Sequence, residues 1–506
     1  MEPTPARLLR ERARLNPDAT AYVSDERRID FRTAEREASA LAAHLDANGV
    51  GAGDRVVVLA KNSDFLATSL FAVSWLGAIA VIANWRLPAA ELAHVFDDSE
   101  PVAVLADEAF GPAVQELRQA RPGIRHVVVD TADDYRAIIA DARAHGAEPA
   151  GSSADAAVIM YTSGTTGRSK GAVLTGANLY WSAEGMVSTI PWEPGHRFLL
   201  VAPMFHIGGL APLLANVLRG TATVFLRDFD PAAVWRTIAE ERITTMMTVP
   251  LMLRALTHVA GLGPVDASSL VNVTCGGAPV ADELAGAFTA AVGVPVQLVY
   301  GVTEFTGAVA FRLGGEGAAH AGSTGRAVFG GELAVADPAT GQALAPGETG
   351  EVLIRGPQRF AGYWRDEAST AAAITADGWY RSGDVGRIDE DGFVRLVDRV
   401  KDVVISGGEN IYPAELEVVL AAHPAVADVA VVGRPDETWG EVPIAFVVAA
   451  PGTAAEGLEA ELVEACRAKL AGYKTPKAIR FVEAIPRNTL GKVLKRQLRD
   501  EERAAA

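Results

Sequence analysis

The stretch YTSGTTGRSKG, residues 161–171, sets three glycines among five Ser/Thr hydroxyls and two cations. Glycines let successive backbone N–H groups turn toward one point, and hydroxyls with an ammonium complete a cradle for a phosphate chain. A Walker A loop needs a glycine just before its lysine. Here Ser169 precedes Lys170, which excludes the standard NTPase loop. The competing reading is a solvated linker, but the apolar run AAVIMY directly upstream reads as a buried strand, an unusual neighbour for a linker.

Other segments carry complementary chemistry. GGAP at 276–279 and YGVTE at 300–304 each end an apolar, strand-like run, and ligands of open α/β sheets bind beyond such ends. Tyr300 offers a flat face for a purine, Thr303 a hydroxyl, and Glu304 a hard carboxylate suited to Mg2+. In WYRSGD, 379–384, Asp384 follows a Ser-Gly turn and could accept both hydroxyls of a ribose. Arg399 in DRVKD, 398–402, could fork onto the same sugar or onto phosphate oxygens. Singly, each segment reads equally well as a turn, and Arg399 as a surface ion pair. Their co-occurrence with PRNTLGK, 486–492, changes that weighing.

The elements that must position these groups follow from hydrophobic pattern. Apolar runs such as RVVVLA at 55, VAVLA at 102, RHVVVD at 125, RFLLVAP at 197 and TATVFL at 221 alternate with helical patterns. Alternation of this kind predicts α/β layers with mostly parallel sheets. From about 325 to 396, short strands and Gly/Pro/Asp turns predict a small antiparallel β module, and a further α+β unit begins after residue 402. The uncharged stretch 65–83 is long enough to span a bilayer, but its Thr68, Ser69, Ser74 and Gly77 favour a buried helix followed by a strand.

Composition narrows the partners. A net charge of -17 disfavours nucleic acid and anionic membranes, so an anionic ligand must meet local positive charge. One basic region exists, residues 467–503, with 11 Lys/Arg against 4 Asp/Glu; it suits either phosphates or a solvated helix face. The two cysteines, Cys275 and Cys466, lack metal-ligand spacing, and the N-terminus lacks the features of a signal peptide. A reducing, cytoplasmic setting is expected, and a homodimer is a possible assembly.

Taken jointly, YTSGTTGRSKG, YGVTE, WYRSGD, DRVKDVVISGGENIYPAELE and PRNTLGK resemble the adenylate-forming enzymes: acyl- and aryl-CoA synthetases, peptide adenylation domains and luciferases. The likeness runs from about residue 10 to 500. It implies a large α/β N-terminal domain with a small antiparallel β-barrel-like module over 1–397, a hinge at 398–402 centred on Lys401, and a mobile α+β C-terminal domain over 403–506. It also implies an acid:CoA ligase that uses ATP, Mg2+ and coenzyme A.

The resemblance assigns roles residue by residue. Thr162, Ser163, Gly164, Thr165, Thr166, Gly167 and Lys170 would hold the β and γ phosphates of ATP. Gly277, Ala278, Pro279, Tyr300 and Gly301 would line adenine and ribose, Thr303 would touch the α-phosphate, and Glu304 would bind Mg2+. Asp384 and Arg399 would hold the ribose, and Lys492 would be the catalytic lysine. After rotation about Lys401, Gly407 and Gly408 would line a pantetheine channel, with Trp439, Lys474 and Lys477 near the CoA nucleotide. Trp439 could equally be plain core.

The implied acyl pocket lies around PMFHIGGLAP, 203–212, CGGAP and YGVTEFTGAVA. His206 would border the carboxylate, and Ile207, Gly208, Gly209, Gly276, Gly301, Val302 and Ala308 would form an apolar, roomy wall. The Asp that amino-acid adenylation domains use to hold an ammonium is absent. No Lys or Arg occurs in 203–212 or 300–310, so a second substrate carboxylate is not expected. A fatty chain and a flat aromatic or hydroxycinnamic ring both remain open. Two alternatives are a free-standing enzyme that loads an acyl carrier protein and a non-catalytic nucleotide-binding protein; luciferase-type oxygenation is the least expected.

Overall fold

The β-branched runs become strands buried on both faces. In the computed structural model, which describes residues 2–25, 27–140, 148–162, 168–317, 319–453, 457–487 and 493–505, strands Arg55–Leu59, Ile79–Ile82 and Ala103–Asp107 lie parallel and side by side. They belong to a seven-stranded sheet ordered Gly362–Tyr363, Lys170–Thr175, Ala156–Thr162, Ile79–Ile82, Arg55–Leu59, Ala103–Asp107, His126–Asp130. A nine-stranded sheet runs Arg326–Ala327, Gly307–Arg312, Val296–Val302, Asn272–Gly276, Thr245–Thr248, Arg197–Leu200, Ala222–Phe225, Thr20–Ser24, Arg27–Asp30.

The uncharged stretch 65–83 is interior. Helix Asp64–Trp75 is buried along its whole length and is capped by the Ser63 hydroxyl, which accepts from the Leu66 N–H at 3.3 Å. Gly77, at φ +68°, then turns the chain into strand Ile79–Ile82. Among the described residues no helix is long and apolar enough to cross a membrane. At the start of this helix, buried Asp64 pairs with Arg27 and Arg136; Arg27 also pairs with buried Glu37, and Arg136 with Asp130 at 3.0 Å. Paired charges offset a desolvation cost that either would carry alone.

Packing divides the chain into two compact units, Met1–Leu333 with Ile354–Arg381, and Ala334–Leu353 with Ser382–Ala506. The antiparallel module is divided between the units, while most residues of its four-stranded sheet, running Glu332–Ala336, Gly350–Arg355, Tyr380–Ile388, Val394–Arg399, belong to the second. A five-stranded sheet follows, built on the antiparallel pair Val426–Asp436 and Gly440–Ala449. Its faces show the period of two: Val431 enters one core with Leu416, Leu420 and Leu462, while Ala430 and Val432 enter another with Ile444, Ile485 and Leu498.

Candidate functional site

The glycine-rich loop closes a hairpin. Strands Ala156–Thr162 and Lys170–Thr175 are antiparallel, with Thr162 opposite Lys170 and Tyr161 opposite Gly171. This strand-loop-strand geometry differs from the strand-loop-helix of a Walker A site. The base of the hairpin is pinned by Tyr161, whose hydroxyl donates to Asp98 Oδ2 at 2.6 Å. Ser163, Gly164, Thr165, Thr166 and Gly167 lie outside the described residues. Lys170 is engaged: its ammonium lies 3.2 Å from the Asp366 carboxylate, bonds the Ser369 hydroxyl and stands 5.4 Å from the Tyr363 ring. Hydrogen bonds from Ser369 and the charge of Lys170 hold the Asp366 carboxyl low, at about 2.

Two adjacent strand ends carry the next motifs. Strands Asn272–Gly276 and Val296–Val302 are parallel neighbours with Gly276 opposite Val299, so GGAP and YGVTE emerge together. Gly276 is required by that pairing, because a Cβ there would lie 2.3 Å from the Val299 carbonyl oxygen. Gly277, Ala278, Pro279 and Gly301 are exposed, whereas Tyr300 is buried and offers little of its ring. Thr303 and Glu304 sit in the short 3-10 turn Thr303–Phe305. One Glu304 oxygen accepts from the Tyr363 hydroxyl at 2.9 Å, and the Glu304 carbonyl accepts from the Phe360 N–H at 2.9 Å. A single half-buried carboxylate at a strand end fits Mg2+, which takes one or two carboxylates and completes its shell from nucleotide phosphates and water.

The segment 203–212 is anchored from a distance. Buried Asn62 donates to the carbonyls of Leu200 (3.3 Å) and Ala202 (3.0 Å) and accepts from the Met204 N–H at 2.9 Å. His206 occupies the N-cap position of helix Ile207–Arg219. Its Nε2 is buried without a hydrogen-bond partner among the described residues, and burial with the Arg86 charge pushes the imidazole down to about 4. It is therefore neutral near pH 7. Arg86 comes from outside the two acyl-pocket segments: its guanidinium lies 4.7 Å from the Trp85 ring and 5.8 Å from that of Phe205, beside a segment that itself holds no cation.

The space left by glycine is also redistributed. A Cβ on Gly209 would strike the Pro203 carbonyl oxygen at 2.4 Å, so its smallness serves the turn; one on Gly208 would meet only the flexible end of Met247 at 3.2 Å. Gly301 stands opposite Ala308 and Val302 opposite Gly307, and Gly307 approaches Ile207. His206, Ile207, Gly301, Val302 and Ala308 are thus drawn into one neighbourhood.

In the second unit, Asp384 and Arg399 face each other across strands Tyr380–Ile388 and Val394–Arg399, with Arg399 Nε 2.6 Å from Asp384 Oδ1. Asp384 is buried, so the pair is more than a solvated surface bridge. Lys401 lies in the 3-10 turn Val400–Asp402, where Asp402 pairs with Arg499. Gly407 and Gly408, at φ +60° and +88°, form the two-residue turn between Val404–Ser406 and Glu409–Ile411. Two consecutive positive φ values are what a type I′ hairpin demands of its turn residues, a structural reason for both glycines. Trp439 is 49% exposed, which removes the core reading; Gly407 packs against its ring and Lys477 stands 5.8 Å from it.

Much of the basic C-terminal stretch is internally paired: Lys474 with Glu415, Arg480 with Glu502, Arg487 with Asp428, and Lys495 with Glu417. Lys492 lies outside the described residues.

Sequence signals found the glycine-rich and strand-end segments because their chemistry is local. They missed Tyr363, Asp366, Ser369, Asn62 and Arg86, which act across large sequence separations. GYWRDEAS, 362–369, carries two hydroxyls and two carboxylates but no pattern that marks it.

A family model described as AMP-binding enzyme matches residues 9–364, and one described as AMP-binding enzyme C-terminal domain matches 415–492. A feruloyl-CoA synthase of Amycolatopsis sp is 38% identical over 491 residues, covering 96% of this chain and 97% of the relative. A long-chain-fatty-acid–CoA ligase of Mycobacterium tuberculosis is 37% identical over 497 residues, covering 98% and 97%. The solved o-succinylbenzoate coenzyme A synthetase of Bacillus subtilis, in complex with ATP and magnesium ion, superposes with a TM-score of 0.85 at 30% identity, covering 97% of this chain and 98% of that one.

Proposed function

The chain belongs to the AMP-binding enzyme family, and from that premise we propose that it is an AMP-forming acid–thiol ligase that joins a hydrophobic carboxylic acid to coenzyme A. The observation that carries the reading is the convergence of Lys170, Tyr363 and Glu304, which brings the end of the phosphate loop and the end of a strand to one place.

A carboxylate is a poor acyl donor because its leaving group would be oxide. In the first step a carboxylate oxygen attacks the α-phosphorus of ATP, the bond to the β-phosphate oxygen breaks, and pyrophosphate leaves, giving acyl-AMP. Both reactants are anions, so catalysis is mainly positioning and charge neutralisation. Lys492 supplies positive charge at the α-phosphate, and Lys170 exchanges Asp366 for a phosphate oxygen. Asp384 and Arg399 hold the ribose. Mg2+, held by Glu304, would neutralise phosphate charge. His206, neutral, borders the substrate carboxylate without adding a charge to it.

In the second step the CoA sulfur attacks the acyl carbonyl carbon and AMP departs. Rotation about Lys401 brings the Gly407–Gly408 turn to the approach that Lys492 vacates, and Trp439 with Lys477 takes the CoA nucleotide. The acid is a fatty chain or a flat aromatic ring, accommodated beside Ile207, Gly208 and Val302.

The test is pyrophosphate release with and without CoA over a panel of fatty, benzoic and cinnamic acids. CoA-dependent turnover with at least one of them is expected. Pyrophosphate release whose acyl product transfers only to an acyl carrier protein would favour the carrier-loading alternative, and no release with any acid would favour a non-catalytic nucleotide-binding protein.

A further inference from the structure

Tyr363 lies in neither of the motifs that point to the nucleotide, yet it touches both. Its hydroxyl donates to Glu304 Oε1 at 2.9 Å, and the Lys170 ammonium stands 5.4 Å from its ring. Its own position is fixed from three sides. Strand Gly362–Tyr363 pairs with Lys170–Thr175, placing Tyr363 opposite Ala172. The Tyr363 N–H donates to Thr370 Oγ1 at 2.8 Å. The ring meets the edge of Phe360 at 4.9 Å, and the Phe360 N–H in turn holds the Glu304 carbonyl. Phenol and carboxylate are therefore tied to the same short segment.

We propose that Tyr363 is a positioning residue that aims the Glu304 carboxylate at the cation accompanying ATP and fixes its distance from Lys170. A hydroxyl donor holds a carboxylate in one rotamer and favours its ionised form, as groups behind a metal ligand commonly do. An ordinary phenol keeps its proton at neutral pH, so the Tyr363 hydroxyl is a donor there. The inference rests on the ligase reading and on the role that reading gives Glu304.

The test is calorimetric titration with ATP, with Mg2+ or with EDTA, in the absence of acid substrate, using wild type, Tyr363→Phe, Glu304→Gln and the double variant. Tyr363→Phe should weaken ATP binding in Mg2+ by about 10- to 100-fold while leaving binding in EDTA unchanged. Added to Glu304→Gln it should have no further effect. Equal losses with and without Mg2+, additive losses in the double variant, or no loss in Tyr363→Phe would each overturn the proposal. If wild type itself binds no ATP, the ligase reading falls and takes the proposal with it; if wild type binds and Tyr363→Phe matches it, only the proposal falls.

Discussion

His206 is a half-buried base whose shielded Nε2 is held without its proton. The unfolded chain binds that proton near pH 6.5, whereas the fold resists it until about 4. Between these values the unfolded state binds more protons, so the stabilising contribution is complete above pH 6.5 and is lost as the pH falls toward 4. It amounts to roughly 3 kcal/mol. In urea titrations over this window, wild type should lose about that much more stability than His206→Gln; parallel curves would mean the imidazole is not shielded. Lys492 makes the complementary residue-scale prediction: Lys492→Ala should abolish acyl-AMP formation yet leave thioester formation from supplied acyl-AMP largely intact. Equal loss of both steps would contradict the role given to it.

At the scale of elements, the strand pair Asn272–Gly276 and Val296–Val302 decides where GGAP and YGVTE point. Gly276→Ala must push the Val299 carbonyl away, which should lower stability by about 1–3 kcal/mol and weaken nucleotide binding together. Thermal unfolding and ATP titration on the same variant check this; loss of binding at full stability would mean the glycine serves the ligand directly. The elements themselves were largely legible: runs of Val, Ile and Leu announced the parallel strands, and Thr68, Ser69, Ser74, Gly77 and the missing charges announced a buried helix. Less legible were reasons that live between elements. Gly276 and Gly209 looked like room for a substrate, but the atoms they accommodate belong to Val299 and Pro203. Arg86 lies 120 positions before His206, and Tyr363 lies 59 positions after Glu304, so no window along the chain shows either relation.

For the whole molecule, an acidic chain that must hold ATP and CoA depends on local cations, and many of those in its C-terminal stretch are already paired with carboxylates of the same unit. Lys170, paired with Asp366, follows the same pattern, so under the proposed function phosphate binding would be an exchange of anions and should weaken as ionic strength rises. Lys401→Pro should slow thioester formation more than adenylation, measured as acyl-CoA and pyrophosphate yields; equal slowing would remove the pivot. The hairpin that carries the glycine-rich loop has one further consequence. Thr162 and Lys170 are paired partners in a sheet, so the ends of segment 163–169 are already brought together by the strands. Doubling such a loop adds only about 0.6 kcal/mol of closure entropy. Its length is thus weakly constrained by closure entropy, and under the proposed function selection for ATP handling would act on that length with little opposition from stability.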